Sequence, residues 1–143
     1  MKSLTATIGM AVWFAYLLTG CAEVKTADIG KQEFNSKCAT CHGVSAKGDG
    51  PQAPLLATKP ADLTVLAKNN GGIFPVQHVH EIIDGRYEVM AHGPRTMPVW
   101  GREFQIDVPD LPKDASMSFD HRETTVRNKI EALIDYLAQL QVK

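Results

Sequence analysis

The sequence predicts an all-α domain of three to five helices joined by long loops, and three observations carry that expectation. Apolar residues recur at helical spacing from Glu123 to Gln141: Val126, Ile130, Leu133, Ile134, Leu137 and Leu140 fall on one side, with Lys129, Glu131, Asp135 and Gln139 on the other. No segment alternates apolar and polar residues with the period of two that a half-buried strand needs. Glycine and proline gather in the middle of the chain, where they break regular elements and leave long connections. At 143 residues there is room for one such domain.

The elements follow in chain order. Residues 1–20 read as a lipoprotein-type signal peptide: Lys2 supplies a short positive region, and an apolar stretch from Leu4 to Leu18 is too short and too diluted for a stable span. It ends in Leu18-Thr19-Gly20-Cys21, which resembles the bacterial lipobox and implies lipidation of Cys21. Residues 21–29 form a short tether, and the folded domain is expected over 30–143. Asp28 is a suitable N-cap for a first helix running into Cys38. Residues 43–61, rich in Gly, Pro, Ala and Lys, predict an irregular loop. Asp62 caps a short helix to Lys68, which Asn69-Asn70-Gly71-Gly72 ends. Val76–Asp84 is a further helix, with Val76, Val79, Ile82 and Ile83 on one face and Gly85 as terminator. Residues 86–120 carry no clear period, and the stretch 102–120, with Glu103, Asp107, Asp110, Asp114 and Asp120, reads as an acidic surface loop. The periodic segment ending at Gln141 closes the chain.

Charge excludes one class of partner. Fifteen basic and sixteen acidic residues give a net charge of −1, and the basic residues form no cluster, so no field attracts nucleic acid. The three cysteines are all accounted for if Cys21 carries lipid and Cys38 and Cys41 share a second task, which leaves none for a disulfide.

That task is written in Cys38-Ala39-Thr40-Cys41-His42. A C-x-x-C-H run is the attachment signature of c-type haem: two thiols one helical turn apart add across the two vinyl groups, and the adjacent imidazole reaches the iron. A structural zinc site would need a second ligand pair, and the chain has no other cysteine pair. A redox dithiol would sit among strands, and the flanks here read as helical.

With this motif in place, the chain resembles the class I (mitochondrial-type) c-type cytochromes over most of residues 28–143, as a bacterial, lipid-anchored monohaem member. Gly30 and Phe34 precede Cys38 as in that family's first helix, and Leu133-Ile134-Asp135-Tyr136-Leu137 resembles its last. The resemblance implies a small cytochrome c fold wrapped around one covalent haem, with Gly30, Phe34 and Tyr136 at the helix crossing. It implies Met97, in Arg95-Thr96-Met97-Pro98-Val99-Trp100-Gly101, as the distal iron ligand opposite His42, with His92 its main competitor. Met90, His78, His80 and His121 are weaker ones. It also implies that a loop proline offers its carbonyl to His42; Pro51 and Pro54 both qualify, and Pro51, after Gly50, is preferred. Arg86, Arg95 and Trp100 are candidate propionate partners, and Leu55, Leu56, Leu63, Val76, Ile82 and Ile83 are expected pocket walls.

The implied function is electron transfer without catalysis, on the periplasmic side of a bacterial membrane, anchored by lipid. The expected partners are redox proteins, with the chain a monomer or a subunit of a respiratory complex. The alternatives are a haem c subunit of a dehydrogenase or oxidase and, from another class, a gas-binding or peroxidatic haem protein with an open iron position.

Overall fold

The structure, a computed structural model, describes residues 26–86, 97–107 and 115–142, and of 115–118 the backbone alone. The expected signal, Cys21, Met90, His92 and Arg95 lie outside the described residues, as does the Met117 side chain.

Helix α1 (Thr26–Glu33) begins before the expected cap, so that Asp28 sits in the first turn, where its charge complements the helix dipole. The chain continues through a π-helical turn (Phe34–Cys38) into α2 (Ala39–His42), and Gly43, at φ 77°, ends it. The loop beyond is irregular apart from one 3-10 turn, Ala53–Leu55. Asp62 caps as expected, its carboxylate accepting from the Thr64 N–H, over a 3-10 turn (Leu63–Val65) that runs into α3 (Leu66–Asn69). Helix α4 spans Val76–Asp84, and Gly85 at φ 62° donates its N–H to the Glu81 carbonyl.

Two expectations need correction. A helix, α5 (Trp100–Ile106), occupies part of the stretch expected to be irregular, and α6 starts at Ala115 and runs to Gln139. Seven residues are too few to display a period, and Pro98 lies outside α5, where it cannot break it. The acidic-loop reading therefore fails for α5 and for Asp120, which lies in α6, while Asp107 pairs with Lys37 at 2.6 Å. Residues 108–114 lie outside the described residues.

The α1–α6 pair forms the most extensive helix contact. A Cβ on Gly30 would stand 1.9 Å from the Ala132 carbonyl oxygen, so only glycine permits this crossing. Phe34 and Tyr136 fill it, ring centroids 5.4 Å apart. Around them the core gathers Phe104, Val126, Ile130 and Leu133, all essentially fully buried. Among the described residues there is no strand, and no helix is long and apolar enough to cross a membrane.

Candidate haem-attachment site

The two thiols and the imidazole come from one stretch of backbone. Cys38 closes the π-helical turn, and Cys41 and His42 lie in α2. Both cysteines are free and half-buried, and burial pushes the Cys38 thiol up to about 12, with the Glu33 charge adding to it.

The loop after α2 folds back onto the motif. Gly50 donates to the Cys41 carbonyl at 3.1 Å and Gln52 to that of Thr40 at 3.0 Å. A Cβ on Gly50 would meet the Thr40 and Ala39 carbonyl oxygens at 2.5 and 2.6 Å, which accounts for glycine there. Gly48, at φ 73°, donates to the His42 carbonyl at 2.8 Å, and a Cβ there would stand 2.1 Å from the Pro60 carbonyl oxygen. The far end of the loop is thereby brought beside His42.

His42 Nδ1 lies 3.0 Å from the carbonyl oxygen of Ala61. A carbonyl only accepts, so this contact assigns the ring proton to Nδ1 and leaves Nε2 as the lone-pair nitrogen. The expectation for Pro51, and for Pro54, is corrected here. Pro51 is exposed in the turn that Gly50 and Gln52 tie to the Cys41 and Thr40 carbonyls, and Pro54 is exposed in the 3-10 turn. The loop is long enough for a residue well beyond both prolines to reach the imidazole.

Met97 is partly buried, and Cys38, Met97 and Trp100 pack against the same core cluster. Trp100 lies 6.0 Å from the Phe104 ring. His78 and His121 are exposed, and His80 is half-buried on α4. Of the expected pocket walls, Ile83 is buried, Leu63 touches the core, and Leu55, Leu56, Val76 and Ile82 are exposed, Leu55 at 82%.

Arg86 does not hold its guanidinium out for an anion. Its Nε and a terminal nitrogen donate to the Asp84 carboxylate at 2.6 and 2.9 Å, and the other terminal nitrogen donates to Glu123 at 2.7 and 2.8 Å. The Gln105 amide also donates to Glu123. Burial pulls the Asp84 carboxyl up, but the Arg86 hydrogen bonds and charge more than offset it and hold the group below 3.8.

A thiol pair with two residues between them, an imidazole with Nε2 available and a soft thioether are a donor set suited to haem c. Among the described residues no three His, Cys, Asp or Glu side chains come together as an alternative metal site. Ala61, the Arg86 network and the close approach at Gly50 leave no mark in the sequence; the Asp62 cap is the local sign of a built turn beside Ala61.

Comparison with known proteins adds one match. The family described as Cytochrome C oxidase, cbb3-type, subunit III matches residues 25–112, more than half of the chain, including the C-x-x-C-H motif and Met97. No curated protein and no solved structure gives a match. The helical fold, the motif on consecutive helical turns and this match agree: the chain belongs to the c-type cytochrome family described as Cytochrome C oxidase, cbb3-type, subunit III.

Proposed function

We propose that Cys38 and Cys41 hold haem c through thioether bonds, that His42 Nε2 and the Met97 sulfur ligate its iron, and that the domain relays single electrons between protein partners. Membership of the family implies the covalent haem c. When bound, it supplies reversible one-electron chemistry between ferric and ferrous iron. The observation that carries the residue assignment is the His42 Nδ1–Ala61 contact, which holds the imidazole with its other nitrogen available for metal.

The chain's own residues have three tasks. The motif presents both sulfurs and the imidazole from five consecutive residues of helical backbone. The exposed apolar side chains of Leu55, Leu56, Val76 and Ile82 gain cover from an apolar macrocycle, which keeps water from the iron. Met97 adds a soft ligand that favours the ferrous state and leaves no open position for a substrate.

For the setting we propose that Cys21 is lipidated after removal of residues 1–20 and holds the domain at the periplasmic face of a membrane. The family's description, naming a subunit of an oxidase, favours a second reading in which the chain serves as the electron-carrying subunit of a respiratory complex.

The test uses the purified full chain. Haem should survive denaturing electrophoresis in the wild type and be lost from a Cys38→Ala, Cys41→Ala variant. The ferrous spectrum should not change on adding carbon monoxide, and should change in Met97→Ala. A prompt carbon monoxide shift in the wild type would refute Met97 ligation and bring the gas-binding reading forward.

A further inference from the structure

We infer that Gln141 is a positioning residue for the proximal imidazole: from the end of α6 it clasps the segment that follows Ala61, and so keeps the Ala61 carbonyl on His42 Nδ1. The inference rests on the reading of His42 as an iron ligand.

The Gln141 amide is almost fully used. Its nitrogen donates to the carbonyls of Leu63 and Leu137, both at 2.8 Å, and its oxygen accepts from the Ala67 N–H at 2.9 Å. Exchanging O and N would set the oxygen against two carbonyls and the NH2 group against an N–H, so the partners assign the orientation. The Leu137 bond ties the side chain to α6, and the other two hold the start and the middle of the Leu63–Asn69 segment. The Val142 N–H adds a bond to the Thr64 carbonyl at 2.9 Å. On the loop side, Leu63 donates to the Ala46 carbonyl at 2.7 Å, and Asp62 accepts from the N–H and hydroxyl of Thr64 at 2.8 and 2.6 Å. Ala61 is exposed, and Leu63 and Leu66 touch the core while staying partly exposed. Hydrogen bonds therefore do much of the anchoring, and Gln141 and Val142, just beyond the end of α6, supply three of those that reach the segment. Gln141 also lies beyond residues 25–112, so the clasp is not part of what the family match covers.

The chemical consequence has a sign. A carbonyl on Nδ1–H draws that proton away from the ring and makes Nε2 a stronger donor, which favours ferric iron. Loosening the segment weakens the contact, lowers the donor strength and raises the potential. A role confined to folding would lower stability and leave the potential alone.

The experiment compares holoprotein carrying Gln141→Ala, Gln141→Met or Gln139→Ala, the last at the exposed final position of α6. Gln141→Met keeps the length of the side chain without its amide and adds no charge, and it decides the matter should the alanine variant fail to accumulate. Two quantities are read: the midpoint potential, and deuterium exchange of the His42 Nδ1 proton by NMR in the ferrous state. Both Gln141 variants should show a raised potential and exchange about tenfold faster, the factor expected from one lost hydrogen bond of ordinary strength, while Gln139→Ala shows neither. Unchanged potential and exchange in the Gln141 variants would overturn the clasp, whatever happens to the melting temperature. Wild-type protein without covalent haem would instead defeat the reading of Cys38, Cys41 and His42, so the two failures are distinct.

Discussion

Replacing Arg86 by methionine should cost about 3–5 kcal/mol of folding stability at neutral pH, because it strands a carboxylate the fold has already taken out of water. Asp84 is only 4% exposed, and Arg86 meets both of its oxygens while also holding Glu123 of α6. The start of α5 closes over the pair: a Cβ on Gly101 would lie 2.2 Å from the Asp84 carboxylate and 2.6 Å from Arg86 Nε. The network thus joins the ends of α4 and α5 to α6, and it closes the base of the stretch that carries Met97. Methionine retains the apolar stem, so the loss is chiefly electrostatic. Against a typical total of about 5–15 kcal/mol the effect is large. It is read from guanidinium unfolding of the holoprotein by far-UV circular dichroism at pH 7 and pH 4. In the wild type Asp84 titrates below 3.8, so its contribution is present above that value and is lost as pH falls through the lowered one. Without Arg86, burial outweighs the smaller opposing charge interaction with His80 and raises the carboxyl. Acidification then neutralises it, and the penalty shrinks. An Asp84→Asn, Arg86→Met double variant should recover roughly 2 kcal/mol of the single-variant loss. A cost below about 1 kcal/mol at pH 7, or a penalty that grows on acidification, would refute a buried, Arg86-dependent charge.

Three further outcomes are expected. Gly30→Ala should destabilise by roughly 3 kcal/mol, since the new methyl meets the Ala132 backbone and the crossing must open; a thermal melt within a degree or two of wild type would contradict the crossing. Ala46 is fully buried at φ 59°, so in Ala46→Gly relief of about 1 kcal/mol of backbone strain opposes a similar loss of burial and chain stiffness. Its denaturant midpoint should stay close to wild type, and a shift beyond that equivalent to about 1 kcal/mol would show that one of these effects dominates. Lys37 and Asp107 shift in opposite directions because of their hydrogen bond, Lys37 above 10.5 and Asp107 below 3.8. The lysine's contribution is complete below 10.5 and is lost as pH rises through its raised value, while the aspartate's is lost as pH falls through its lowered one. Because Asp107 is 39% exposed, Asp107→Asn should cost under about 1 kcal/mol at pH 7, and a larger loss in urea unfolding would count against a solvent-screened pair.

What the sequence by itself determined is what depends on short spacing. The C-x-x-C-H run places its three side chains within consecutive turns, the apolar period of the last helix marks its buried face, and Gly85 ends α4 through its left-handed backbone. The Gly30–Phe34–Tyr136 crossing was legible too, by resemblance, because a missing Cβ and two aromatics form a pattern that survives in the letters. Short α5 was not legible, since seven residues barely complete two helical turns, and the early start of α6 has no apolar repeat to announce it. Only the tertiary structure decided that Ala61, and neither Pro51 nor Pro54, meets His42, that Arg86 is held by Asp84 and Glu123, and that Gln141 grips the Leu63–Asn69 segment. The physical reason is common to all three. Any residue offers the same backbone carbonyl, and a guanidinium or an amide bonds whichever acceptors it meets, so the partner is chosen by how a long loop returns and where a distant helix ends.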